Sequence, residues 1–272
     1  MAKNDNMLAA RRAGDGKQEE GLWETAKVIV QALAIAFFVR TFFFQPFNIP
    51  SSSMYPTLKV GDYIFVSKLS YGYGKYSFNF SLGFRDTTFL HCCPVDFPGR
   101  KVLPGTPQRG DVAVFKKPTD TEIDYIKRVI GLPGDRIQMK DGVLYINDVA
   151  VPKVRVEDYV DSDEEGGGGR PIPQYRETLP NGVSYNVLDS DPNSGADNTD
   201  VYVVPEGHYF MMGDNRDNSQ DSRYLDEVGY VPIENYMGRA DIIFFSISPE
   251  ARLFKPWEWP FMTRWMRFFH LI

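Results

Sequence analysis

The stretch Ile123-Asp124-Tyr125-Ile126-Lys127-Arg128-Val129-Ile130-Gly131-Leu132-Pro133-Gly134-Asp135-Arg136-Ile137-Gln138-Met139-Lys140-Asp141-Gly142-Val143-Leu144-Tyr145-Ile146 decides the fold class. Its first part is dense in β-branched and aromatic residues, and Gly131 to Asp135 ends it with the glycine and proline of a turn. Asp141-Gly142 then stands between Arg136 to Met139 and Val143 to Ile146, the pattern of a short β-hairpin. No long helical period intervenes, so the chain is expected to be mainly β: an antiparallel β-sheet or barrel, not a doubly wound sheet.

The same texture extends outward. Asp62 to Ser67 and Asp111 to Phe115 read as strands upstream; Gly182 to Leu188, Val201 to Val204, His208 to Met212 and Asp241 to Phe245 read as strands downstream. Tyr71 to Pro107 has no clear period and reads as a surface insertion. Asp158 to Arg170 joins an acidic run to Gly166-Gly167-Gly168-Gly169, the composition of a mobile loop. Residues from about 147 to 203 are expected to form an inserted β subdomain with such loops.

The chain has 272 residues, 43% hydrophobic and 24% charged, enough for a sizeable core and unlike a disordered protein. Its net charge of -6, with no basic patch, argues against nucleic-acid binding. The only cysteines, Cys92 and Cys93, are adjacent, which fits neither zinc ligation nor a disulfide framework; a vicinal disulfide and two loop thiols both remain open. His91, His208 and His270 are far apart in sequence and give little support to a histidine-based metal or catalytic site. No metal or organic cofactor is expected.

Residues 1–22 are polar and read as a solvated tail. From Trp23 the character changes: Val28 to Val39 is apolar except for Gln31, and Phe42-Phe43-Phe44 follows Arg40 and Thr41. A helix from Ala26 to Phe44 would reach ~28 Å, close to the thickness of a bilayer's hydrocarbon. Lys27 and Arg40 near its ends suit snorkelling toward headgroups, and no small-residue cleavage site follows. A buried soluble helix is the alternative. Residues 23–45 are thus expected to be one transmembrane anchor, with the tail cytoplasmic and residues 46–272 outside, by the distribution of basic residues. Near the end, Trp257, Trp259, Phe261, Trp265, Phe268 and Phe269 with Arg264 and Arg267 suit either a membrane interface or docking on the protein's own core.

Just beyond the anchor lies Asn48-Ile49-Pro50-Ser51-Ser52-Ser53-Met54-Tyr55-Pro56-Thr57-Leu58, three hydroxyls on backbone stiffened by two prolines. A serine attacks only when something removes its proton. With histidine unsupported, a lysine could serve if neutral, which requires its pKa near 10.4 to fall by a few units at about 1.4 kcal/mol each. In Tyr125-Ile126-Lys127-Arg128-Val129, strand alternation puts Lys127 on the face of Tyr125 and Val129, opposite Ile126 and Arg128. Alternation does not say which face is buried, and a solvated lysine is the ordinary reading.

Taken together, Pro50 to Leu58, Asp124 to Asp135 and Gly213-Asp214-Asn215-Arg216-Asp217-Asn218-Ser219-Gln220-Asp221-Ser222-Arg223 resemble the bacterial type I signal peptidases, or leader peptidases. The resemblance covers Trp23 to Leu58, Asp62 to Lys68, Gly110 to Ile137 and Val204 to Ser246, in the family's order. It implies a Ser/Lys serine endopeptidase on a membrane-anchored β fold that removes signal peptides from exported preproteins, meeting the Sec or Tat route at the bacterial inner membrane. By the same resemblance the nucleophile is Ser53 and the general base Lys127. The oxyanion hole is the Ser53 amide with the Ser51 hydroxyl, and Ser219 holds the lysine. Asp214 with Arg128, and Asp221 with Arg223, are supporting ion pairs. Phe47, Ile49, Met54, Leu58, Tyr125 and Ile126 line a cleft for small residues at -1 and -3. Ser52 stands where the family often has glycine, and one membrane helix is expected where many relatives have two. A repressor-type Ser/Lys protease would need a DNA-binding module in place of the apolar span. A non-catalytic membrane-tethered binding domain would carry Lys127 at an ordinary pKa.

Overall fold

The structure is a computed structural model and describes residues 23–77, 80–84, 87–92, 105–161, 170–191, 194–251, 255 and 257–272. The chain divides into two units, Met1–Phe43 and Phe44–Ile272.

The described part of the first unit is helix α1, Trp23–Phe42, long and apolar enough by length and composition to cross a membrane. At 1.5 Å per residue its 20 residues span about 30 Å. It stops two residues short of the expected Phe44. Pro46 accounts for this: it supplies no amide hydrogen and drives the residue before it toward extended backbone. Phe44 instead begins the first strand.

In the second unit the strands are β1 (Phe44–Asn48), β2 (Asp62–Ser67), β3 (Phe80–Phe84), β4 (Thr87–Cys92), β5 (Val112–Lys117), β6 (Asp120–Gly131), β7 (Arg136–Lys140) and β8 (Val143–Ile146). They continue as β9 (Val149–Ala150), β10 (Lys153–Arg155), β11 (Gln174–Thr178), β12 (Ser184–Leu188), β13 (Tyr202–Val203), β14 (His208–Met212), β15 (Val231–Pro232), β16 (Tyr236–Ser246) and β17 (His270–Leu271). The main sheet runs β1-β2-β16-β5-β6-β14-β15, with β17 on β16. Smaller sheets are β10-β11-β12, β13-β7-β8-β9 and β3-β4. All pairings between these strands are antiparallel, as expected. β1 lies at the end of the main path, a position that tolerates Pro46.

Strand β5 shows why this sheet positions a site. Val112 and Val114 pack with Ile49, Met54, Leu58, Ile64, Val66 and Ile126. Ala113 and Phe115, pointing the other way, pack with Tyr71, Val129, Met211 and Tyr236. Both faces are therefore covered, which explains the unbroken apolar run. A third cluster joins Ile130, Phe210 and Met212 of the main sheet to Ile137, Met139, Leu144 and Ile146 of β7 and β8. The β7-β8 turn has Asp141 at φ 48° and Gly142 at φ 70°, the two positive values that an Asp-Gly hairpin turn requires.

Outside the main sheet, the remaining stretches add detail to this arrangement. Part of Tyr71 to Pro107 is a hairpin, with Phe80 opposite Cys92 and Ser81 opposite His91; its pairing is a backbone matter that an irregular side-chain pattern conceals. Cys93, the four-glycine run and the polar tail lie outside the described residues. The hairpin β7-β8, ahead of residue 147, shares its sheet with β9 and β13. Near the end of the sequence, Trp257, Phe261, Trp265 and Phe269 are well exposed. Arg264 and Arg267 turn inward to the fully buried Asp62. These four aromatics face outward, Phe268 packs on Phe245 with ring centres 5.5 Å apart, and the arginines are tied to the protein core.

Candidate active site

Backbone geometry first brings the serine loop to the sheet. Ile49 N donates to Asp62 O at 2.8 Å and Gly61 N to Ile49 O at 3.0 Å, closing the loop on β2. Within it, Ser52–Met54 forms a 3-10 turn. Met54 and Leu58 have no exposed surface and pin the turn to the core. Ser53, 7% exposed, stands just above them.

The second contribution comes from β6. Ala113 is the register partner of Lys127, so the lysine lies mid-sheet. Its Nζ donates to Ser53 Oγ at 2.6 Å and sits 5.1 Å from the centre of the Tyr125 ring. Lys127 is 4% exposed. Burial lowers its pKa to about 8, aided by Arg223 and opposed by the Asp221 and Asp214 carboxylates. Desolvation dominates because a buried ammonium loses more hydration than these carboxylates return.

The third contribution is the segment after β14. A Cβ on Gly213 would meet Ser219 Oγ at 2.2 Å and Ser53 O at 2.6 Å, so only glycine allows this approach. Asn215 N donates to Ser53 O at 3.1 Å, Asn215 Nδ2 to Ser52 O at 3.1 Å and Asn218 Nδ2 to Ser52 Oγ at 2.7 Å. The serine loop is thus gripped from this segment by two asparagines. Neither was singled out from the sequence, although both lie within the quoted Gly213 to Arg223 stretch.

The two expected ion pairs form. Arg128 Nε and Nη2 meet Asp214 Oδ1 and Oδ2 at 2.9 and 2.6 Å, a bidentate contact. Thr57 Oγ1 donates to the same carboxylate at 2.5 Å, linking it to the serine loop. Arg223 Nε donates to Asp221 Oδ1 at 2.9 Å. Burial alone would raise the Asp221 pKa, but the Arg223 guanidinium holds it below the ordinary carboxylate value. A third buried pair escaped the sequence reading: Arg216 Nη1 and Nη2 donate to Glu177 Oε1 and Oε2 at 2.8 and 2.6 Å, with the Tyr185 hydroxyl on Glu177 at 2.8 Å. Glu177 lies far from any motif, so no local signal marks it.

Other expected residues fall differently. Ser219 Oγ donates to Asp221 Oδ2 at 2.7 Å. Among the described residues no hydrogen bond joins Ser219 to Lys127; Ser219 borders the lysine's surroundings through Gly213 and Asp221. Ser51 Oγ is 3.3 Å from Ser53 Oγ. Of the six residues expected along a cleft, Phe47 and Tyr125 are partly exposed. Ile49, Met54, Leu58 and Ile126 are instead buried in one core cluster.

An antiparallel β domain with a serine hydroxyl and a lysine amine in one buried contact has the makings of a hydrolase. The family described as "Signal peptidase, peptidase S26" matches residues 22–245. Signal peptidase I of Rickettsia prowazekii (strain Madrid E) is 44% identical over 223 residues, covering 79% of this chain and 76% of its own. Signal peptidase I of Rickettsia canadensis (strain McKiel) is 41% identical over 230 residues, covering 82% and 79%. A crystal structure of a signal peptidase I from Enterococcus faecalis V583 aligns with 32% identity over 49% of this chain and 96% of its own, at a TM-score of 0.29. The chain belongs to the signal peptidase family, peptidase S26, and is a peptidase, hence a hydrolase.

Proposed function

We propose that this chain is a membrane-anchored serine endopeptidase that removes N-terminal signal peptides from exported preproteins. The observation that carries this reading is the 2.6 Å contact of Lys127 Nζ with Ser53 Oγ, made by a lysine whose pKa is lowered to about 8. At that value roughly one amine in ten is neutral at pH 7, against about one in three thousand for an ordinary lysine. A base is thereby available where a solvated lysine would offer almost none.

In this reading neutral Lys127 takes the Ser53 proton as Oγ attacks the scissile carbonyl. The Ser53 amide and the Ser51 hydroxyl stabilise the oxyanion, at ~3 kcal/mol for each well-aimed donor. The lysine proton passes to the leaving amine and an ester acyl-enzyme remains. Lys127 then activates water to hydrolyse it. The Arg128–Asp214 and Arg223–Asp221 pairs and Ser219 act through position. Phe47, Tyr125 and the surface supported by Ile49, Met54, Leu58 and Ile126 take the small residues at -1 and -3. Helix α1 anchors the enzyme in the bacterial inner membrane, with the tail cytoplasmic and the catalytic unit outside, where preproteins emerge from the Sec or Tat route.

The test uses purified full-length protein and a preprotein with alanine at -1 and -3. Ser53→Ala and Lys127→Ala each abolish cleavage while the fold is retained, and the wild type releases a mature chain with the expected N-terminus. Wild-type cleavage rates in either variant overturn the assignment.

A further inference from the structure

Three carboxylates meet outside the site described so far. Asp189 follows β12, Asp197 belongs to the next loop and Asp217 lies in the 3-10 turn Arg216–Asn218. One oxygen from each can be chosen so that all three lie within 4.8 Å of one another.

Their remaining hydrogen bonds show which oxygens are spoken for. Asp189 Oδ2 is paired with Lys153 Nζ, which also donates to Gly142 O at 2.8 Å. Asp217 Oδ2 accepts from Ser190 N, Ser190 Oγ and Asp191 N at 2.7, 3.1 and 2.9 Å. Asp217 Oδ1 and Asp197 Oδ2 are buried without a partner, and Asp197 as a whole is only 2% exposed. Buried carboxylate oxygens are costly when left unmatched. Gly142 lies beside them: a Cβ there would stand 3.3 Å from Asp189 Oδ2, 3.5 Å from Lys153 Nζ and 3.7 Å from Asp197 Cγ.

We infer that Asp189, Asp197 and Asp217 form a binding site for a divalent cation of the calcium class. Three ionised carboxylates and one ammonium leave two negative charges, which one such ion balances. All the donors are hard oxygens. Calcium holds oxygens at about 2.4 Å, so ligands across the ion lie about 4.8 Å apart and ligands at right angles about 3.4 Å. Three oxygens within the observed span can therefore share one ion. The ion would tie the end of β12 and the Asp197 loop to the turn whose Asn218 holds Ser52 Oγ and whose neighbour Asn215 holds Ser52 O and Ser53 O. It would thus stiffen the support of the serine loop without touching the serine. The site stands independently of the role given to Ser53.

The test titrates chelator-treated full-length protein in detergent with calcium chloride, and in parallel with magnesium chloride, following heat of binding and Tm. The expected result is one calcium bound per chain, more tightly than magnesium, with Tm raised by roughly 5–10 °C at a hundredfold excess over Kd. Asp197→Asn and, separately, Asp217→Asn keep the side-chain size but remove a charged ligand, and each should weaken calcium binding at least tenfold. Either variant alone suffices if the other fails to fold. Absence of binding heat and of a Tm shift in the wild type overturns the inference, as does undiminished calcium affinity in the folded variants.

Discussion

Arg267 Nη2 donates to the carbonyl oxygen of Thr57 at 3.0 Å while the same guanidinium pairs with the buried carboxylate of Asp62. Thr57 in turn donates its hydroxyl to Asp214. A residue near the end of the sequence thus braces the loop that carries Ser53. Arg264, 3.7 Å from Asp62, is only a partial substitute. Arg267→Ala is expected to lower stability by about 2 kcal/mol, because it strips a buried carboxylate of its closer cation. A shift of the urea unfolding midpoint reads this; an unchanged midpoint would mean that Arg264 alone balances Asp62.

Catalysis should follow the protonation of Lys127. Its pKa is lowered to about 8 and its neutral form is the base, so kcat/KM should rise about tenfold per pH unit below that value and level off above it. Lys127→Arg should be inactive at every pH, since a guanidinium stays charged. A profile that is flat from pH 6 to 9 would exclude this lysine as the titrating base.

The same lysine should weaken the fold at neutral pH. Its folded-state pKa of about 8 lies below its ordinary 10.5, so the unfolded chain binds more protons between those values and this group's contribution to stability rises with pH across that window. Below about pH 8 the full penalty applies, on the order of 3 kcal/mol. Lys127→Met, similar in length and uncharged, should therefore raise Tm by several degrees at pH 7 while abolishing cleavage. The gain should shrink as pH approaches 10. A lower Tm at pH 7 would show that the contact with Ser53 outweighs desolvation.

Asn215 and Asn218 hold the serine loop by its backbone and by Ser52. Asn215→Ala, which removes the side-chain contact but keeps the amide bond to Ser53 O, should lower kcat about tenfold with little change in KM, as small displacements of a reacting group do. Asn218→Ala should act in the same direction and more weakly, because its contact is exposed. A change confined to KM would place both residues in substrate binding.

The amino-acid order by itself determined the β class, the hairpin at Asp141-Gly142 and the apolar helix, because turn chemistry and hydrophobic patterning act between near neighbours. It also singled out the stretches that hold Ser53, Lys127 and Gly213 to Arg223. Tertiary structure alone decided that Lys127 is buried: β6 is covered on both faces around Lys127 to Ile130, so alternation carried no information about its surroundings. It likewise brought Glu177 to Arg216, Arg267 to Thr57 and Asp197 to Asp217, and turned Met54 and Leu58 from surface to support. These contacts depend on chains meeting across a sheet after long loops close, and no local rule of spacing records which distant residue will arrive.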